Sequence, residues 1–255
     1  MSYGLPCGMN SLTYYLEWEG IMETILSLGA GVQSTALAIM VARGEIKVDA
    51  VVFADTGAEK PETYYMIDEY IAPMLKAASI PFHKVKNQRE TLYEYCWRFS
   101  IVPSVLHRWC TVKFKVQPIT KLVGKECVML IGFSTEESHR VKNETNREFP
   151  LIERNMTVTD CRHIIQDMGW PVPTKSSCYF CVFQSPPEWN WMKIHHPELI
   201  ERALELEAHS HEKKPHQRHK YGLLRGFPLW KFAQGIQEPL AFAGEYSCWD
   251  GWCGR

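Results

Sequence analysis

Apolar positions along the chain fall into short runs that end in turn residues and give way to helical spacing. Thr24-Ile-Leu-Ser-Leu28 is such a run, closed by Gly29-Ala-Gly31, after which Leu37, Ala38, Met40 and Val41 recur at helical spacing. This predicts a strand, a glycine turn and a helix. A second run, residues 48–54, ends at Asp55-Thr-Gly57, and Pro61-Glu-Thr63 opens a helical pattern through Tyr65, Ile67, Tyr70 and Ile71. Further runs cover residues 80–85 and 127–131, the last leading into the charged segment from Gly132 to Arg140. Strands alternating with helices at this pitch predict βαβ units, hence an α/β, Rossmann-like fold with a parallel sheet flanked by helices. Ligands of such sheets sit at the carboxyl ends of the strands.

The pattern changes beyond residue 150. A helix is expected over residues 159–168, a Pro- and Cys-rich loop over 169–187, a helix over 197–208, and a loop over the histidine-rich stretch 209–220. Residues 1–21 read as a loose leader, 22–150 as a nucleotide-binding core, and 151–255 as a Cys-rich helical and loop region packed on it. The 255 residues, 45% hydrophobic and 22% charged, suit a soluble globular protein rather than a disordered or membrane one. No apolar run reaches the ~20 residues of a membrane helix, and the N-terminus lacks the order of a secretory signal, so a cytoplasmic location is expected. The net charge of -1 predicts no general attraction to polyanions. Nine cysteines in such a chain point to metal binding or thiol chemistry rather than disulfides, with Cys96 and Cys127 read as buried packing residues.

The candidate chemistry begins at the glycine turn. Gly29 and Gly31 can take positive φ and leave room for a phosphate to reach backbone N–H groups at the positive end of the following helix. Ser34 and Thr35 would donate hydroxyl hydrogen bonds to the same anion. A Walker lysine and a complete G-x-G-x-x-G are both missing, which argues against P-loop NTPases and ordinary dinucleotide binding. Cys178 and Cys181 form a C-x2-C pair, a spacing that lets two thiolates converge on one metal or cluster.

The segment from Ser27 to Ser34, Asp55-Thr-Gly57 with Pro61-Glu-Thr63, and Gly132 through Arg140 together resemble the adenine nucleotide α-hydrolase (PP-loop) superfamily, nearest its phosphoadenylyl-sulfate reductase-like group. Arg108-Trp-Cys-Thr111 with Lys115 and Pro118, then Cys178-Tyr-Phe-Cys181 with Trp189, are similar to phage-borne members and to the ATP-pyrophosphatase component of DNA phosphorothioation systems. One departure stands out: Gln33 occupies the place of the aspartate in the superfamily's Ser-Gly-Gly-x-Asp-Ser pattern. The resemblance implies nucleotide contacts from Ser27, Gly29, Gly31, Gln33, Ser34, Thr35, Asp55, Gly132, Glu137 and Arg140. Asp55 would bind a ribose hydroxyl or help hold Mg²⁺, and Arg140 would grip phosphate; the plainer readings are a helix cap and a surface ion pair.

The same resemblance implies a 4Fe–4S cluster on Cys110, Cys161, Cys178 and Cys181. Thiolates also suit Zn²⁺, and Cys248 or Cys253 is an alternative fourth ligand. Cys253 is also a candidate nucleophile. Three functions are expected on these grounds. The first is cleavage of ATP to AMP and pyrophosphate to activate an acceptor, a nucleic acid in the leading reading, for sulfur transfer from a donor protein. The others are a sulfonucleotide reductase acting through Cys253 and a non-catalytic nucleotide sensor in which Gln33 marks lost hydrolysis.

Overall fold

The computed structural model describes residues 23–141, 146–217 and 221–235. The leader 1–21, Cys7, Cys248 and Cys253 lie outside the described residues. Five strands, β1 (Thr24–Leu28), β2 (Ala50–Asp55), β3 (Phe82–Lys86), β4 (Val128–Ile131) and β5 (Arg147–Glu148), pair in parallel in the order β3-β2-β1-β4-β5. The expected α/β, Rossmann-like sheet is present. Strand order reverses at β1, which has β2 on one side and β4 on the other, with Ser27 opposite Val52 and Ile131. The crevice at the carboxyl ends of β1 and β4 is therefore the switch point at which such sheets receive ligands.

Helices cover both faces. They are α1 (Val32–Ala42), α2 (residues 61–77, with a π-helical turn at Met66–Ile71), α3 (Leu92–Phe99) and α4 (residues 109–123, with a π-helical turn at Val112–Val116). After β5 come α5 (Val158–Asp167), α6 (Pro186–His195), α7 (Pro197–Lys213) and α8 (Leu229–Ala233). Strand alternation divides the apolar side chains into two layers. Leu26, Leu28, Val51, Phe53 and Leu130 pack with α1 and α2, while Ile25, Ala50, Val52 and Ala54 pack with Ile119 of α4. Ser34 to Val41 of α1 are all buried, because α5 covers the side of α1 that the sheet leaves open. Burial of one such aliphatic side chain contributes about 1.5–3 kcal/mol. The first core thus takes Leu151, Cys161 and Ile165 from beyond residue 150.

A second core lies beside the sheet. Leu92, Cys96 and Phe114 pack there with Phe180, Trp189, Met192, Leu206, Leu223 and Leu229. Helix α7 runs five residues past its expected end, to Lys213, and the reason is local. Ser210 and His211 are buried; the Ser210 hydroxyl donates to the Ser100 carbonyl at 3.0 Å, and His211 Nε2 lies 2.7 Å from the Tyr221 carbonyl. His209 stacks on Trp97 at 4.2 Å between ring centres. The part of the histidine-rich stretch read as a loop is thus partly a helix end packed on α3. No helix among the described residues is long and apolar enough to cross a membrane.

Glu207 of α7 anchors the segment that leads to α8. Its buried carboxylate accepts backbone N–H bonds from Leu223 (2.8 Å), Leu229 (2.8 Å) and Trp230 (3.0 Å). Glu207→Ala orphans these donors and is expected to destabilise the fold by at least about 1–3 kcal/mol, the cost of one unpaired buried group. In hydrogen exchange the Leu223 and Leu229 amides should lose protection while those of Leu26 and Val52 keep it. Unchanged protection at Leu223 and Leu229 would refute the anchoring role.

Candidate nucleotide site

A cavity of about 440 Å³ opens at the carboxyl ends of β1 and β4, within the roughly 300–1,000 Å³ of small-molecule sites. Ser27, Gly29, Gly31, Gln33 and Ser34 line one wall, and Gly132, Glu137 and Arg140 another. The structure thus brings together eight of the residues expected at the nucleotide. The first-turn N–H groups of α1 have no carbonyl a turn earlier, so this end of the helix is suited to an anion. Ser34 shapes the turn: its hydroxyl accepts from the Gly29 N–H at 3.2 Å and donates to the Gly31 carbonyl at 3.3 Å.

The glycines act through space rather than through positive φ. Ala30 is the left-handed residue of the turn, at φ 54°, while Gly31 is extended at φ -90°. A Cβ on Gly31 would lie 3.1 Å from Ser176 Oγ, and one on Gly132 would lie 2.9 Å from the Ser34 nitrogen and 3.0 Å from its Cα. A non-glycine residue held left-handed at a site is strained, and surrounding structure must fix it. Here Ala30 is 1% exposed, enclosed by the first core.

Two expected residues are elsewhere. Thr35 is fully buried and does not line the cavity, because its position on α1 turns it into the protein. Asp55 does not line it either. Its Oδ1 accepts from the Gly57 N–H at 2.8 Å and the Tyr64 hydroxyl at 2.7 Å, so it stabilises the turn after β2 rather than capping a helix; Lys60 holds the N-cap place of α2. In return the structure adds Lys115, Arg162, Lys175 and Ser176 to the lining. Lys115 pairs with Glu59 at 3.1 Å and Lys175 with Glu188 at 3.0 Å, while Arg162 stands exposed at the rim. The signal for Lys175 and Ser176 was the polar run Thr174-Lys-Ser-Ser177 between Pro173 and the C-x2-C pair.

The four cysteines expected to share a cluster do not share a neighbourhood. Cys110, Cys178 and Cys181 belong to the second core with Cys96, whereas Cys161 lies in the first core beside α1. Cys161 and Ile165 are one turn apart on the apolar face of α5, and packing places that face against α1. Among the described residues no three His, Cys, Asp or Glu side chains stand close enough to hold a metal ion. The ligand set Cys110, Cys161, Cys178 and Cys181 therefore does not fit a 4Fe–4S cluster or Zn²⁺ as placed. Cys178 instead lies 3.2 Å from Thr56 Oγ1 and 3.6 Å from Glu59 Oε1. Burial, reinforced by Glu59, pushes its thiol well above the ordinary range, and burial also pushes Cys161 up to about 12.

Gly132→Ala, which sets a methyl group against backbone, is expected to cost about 1–3 kcal/mol as overpacking does. Gly29→Ala, whose Cβ would meet only hydroxyls at 3.6 and 3.8 Å, should be tolerated; equal costs in denaturant unfolding would contradict the close approach. Alkylation of the native protein at pH 8, read by mass spectrometry, should label half-buried Cys181 before Cys96, Cys161 and Cys178, whose raised pKa leaves little thiolate. First labelling at Cys178 would contradict its placement.

Comparison with curated proteins returns no match. The sequence pattern of the phosphoadenosine phosphosulfate reductase domain matches residues 23–158, more than half of the chain and the whole of the sheet with its glycine turn. With the parallel sheet, the switch-point cavity and the glycine turn in place, the chain belongs to the phosphoadenosine phosphosulfate reductase domain family, within the adenine nucleotide α-hydrolase superfamily.

Proposed function

We propose that this protein is an enzyme that cleaves ATP between the α and β phosphates to activate an acceptor for sulfur transfer. The observation that carries this reading is the convergence of the α1 N-terminus, the Ser34 turn and Arg140 on one switch-point cavity. An acceptor oxygen attacks the α-phosphorus, the α–β bridging bond breaks, and pyrophosphate leaves with the electron pair. A sulfur nucleophile then displaces AMP from the adenylated acceptor. The turn's N–H groups and Arg140 hold the charge that builds on the α-phosphate, and such preorganised donors are commonly the largest single contribution to catalysis. Mg²⁺ bound with the nucleotide would offset the charge of the leaving pyrophosphate. The resemblance to phosphorothioation components favours a nucleic acid as acceptor.

The family match favours a second reading, reduction of an adenylyl-sulfate by a thiolate at Cys253, which lies outside the described residues. Nucleotide products separate the two. ATP with Mg²⁺ should raise the melting temperature, by the mass-action stabilisation of any ligand that binds only the folded state, and Gly31→Val with Ser34→Ala should abolish that shift. With an acceptor supplied, pyrophosphate and AMP should appear together. Orthophosphate as the first product would sink the α–β cleavage, and sulfite released from an adenylyl-sulfate by wild-type protein but not by Cys253→Ser would establish the second reading.

A further inference from the structure

Gln33 stands on the first turn of α1, and Glu137 on the 3₁₀ turn Thr135–Arg140 that comes after β4. Across 104 residues of sequence, Gln33 Nε2 donates to Glu137 Oε2 at 2.9 Å. The same oxygen takes the Ser134 N–H at 3.4 Å, and Glu137 Oε1 takes Arg140 Nη1 in a buried ion pair. A carboxylate only 3% exposed is thus met by an amide, a backbone N–H and a guanidinium. Arg140 also lies over the Phe133 ring, 4.2 Å from its centre, and Phe133 stacks on Phe149. The guanidinium is held between a fixed carboxylate and a fixed aromatic face, at the wall of the cavity.

The chemistry of residue 33 decides whether this arrangement can exist. Burial pushes the Glu137 carboxyl above its ordinary range, against the opposing pull of Arg140, the Ser134 N–H and Gln33. A carboxylate at position 33 would remove one of those donors and place a second negative charge at hydrogen-bond distance. Two carboxylates at that spacing, the one at 137 buried and the one at 33 half-buried, do not both ionise readily. An amide of the same length donates instead.

We propose that Gln33 and Glu137 are positioning residues: the Gln33 amide fixes the Glu137 carboxylate, which fixes Arg140 as the cation that receives the nucleotide's phosphate. The assignment rests on the reading of the cavity as a nucleotide site. It gives residue 33 a part in anion binding that requires neither contact with the ligand nor a metal. The amide at this place is then an alternative way to build the anion site rather than a mark of lost function.

The test is calorimetric titration of ATP, AMP and adenosine into wild-type protein, Gln33→Glu, Glu137→Gln and the double variant, with thermal melts to verify folding. Gln33→Glu should weaken ATP and AMP by about tenfold or more, the scale of one charge-assisted hydrogen bond, and leave adenosine unchanged. In the double variant the new amide at position 137 keeps an oxygen for Arg140 and turns its NH₂ toward the carboxylate at 33, giving up only the long Ser134 N–H bond, with the total charge of the wild type. Its affinity for ATP should return to within about threefold, a coupling that independent sites do not show. Gln33→Ala, which removes the donor without adding charge, should give the same phosphate-selective loss at smaller size, and it carries the test if Gln33→Glu does not fold. Wild-type affinity for ATP in both Gln33 variants, loss of adenosine binding in parallel with ATP, or a double variant as weak as Gln33→Glu would each overturn the assignment alone. Wild-type protein that binds none of the three would overturn the reading of the cavity and the assignment with it.

Discussion

At Gly132 the chain leaves β4 with its backbone pressed against the first turn of α1, so near that a single added carbon would lie 3.1 Å from the Gln33 carbonyl carbon and closer still to Ser34. That approach is possible because β4 pairs directly with β1, with Ser27 opposite Ile131, so both strands end at one level. Interiors packed at crystal-like density do not absorb such an intrusion elsewhere. Past this contact the segment 133–140 brings Phe133, Glu137 and Arg140 to the cavity wall, with Glu137 against Gln33 of α1. On the opposite flank Ser176 approaches Gly31 almost as closely, so the turn is held from two sides. The left-handed Ala30 between them is retained because its surroundings leave no room to relax.

The electrostatics of the cavity answer to the same geometry. A helix N-terminus with basic side chains around it is a concentration of positive charge, and without an anion those cations would repel one another. Lys115, Lys175 and Arg140 each have a carboxylate partner, Glu59, Glu188 and Glu137. Two of those partners also accept from the scaffold: Glu188 takes the Ser185 N–H at the start of α6, and Glu137 takes the Ser134 N–H. Breaking a buried pair by removing one member costs far more than the pair contributes, so the Arg140 guanidinium is tied to the turn that carries Glu137; the Lys115 and Lys175 pairs are partly exposed and held less firmly. Orientation in the cavity is therefore a property of the fold rather than of flexible side chains.

Much of this was legible in the sequence, and the exceptions have physical causes. Short apolar runs closed by Gly-Ala-Gly and by Asp-Thr-Gly were enough for β1, β2 and the switch-point site, because strand period and turn chemistry are local. Which of Gly29, Ala30 and Gly31 is left-handed was not legible, since the answer depends on Ser176 and on the path after Gly132. Cys161 carried two conflicting signals: the family resemblance implied a ligand, while its one-turn spacing from Ile165 behind a Thr157–Asp160 capping box marked a buried helix face, and packing obeys the second. The histidine-rich stretch misled through composition. Leu206 and Ser210 continue the buried face of α7 at helical spacing, but polar residues on that face hid it.

The cysteines and the cavity are joined through one residue. Lys115 lines the cavity and pairs with Glu59, whose Oε1 lies 3.3 Å from Thr56 Oγ1 and 3.6 Å from the Cys178 thiol. Lys115 acts to lower the Cys178 pKa, but burial and Glu59 outweigh it and keep the thiol neutral. The balance is asymmetric. Whatever draws the Lys115 ammonium toward an anion in the cavity leaves Glu59 with less compensation and the thiol with less reason to ionise. In the folded chain Cys178 is thus a packing residue of the second core with a neutral thiol, joined through Glu59 to a lysine that lines the cavity.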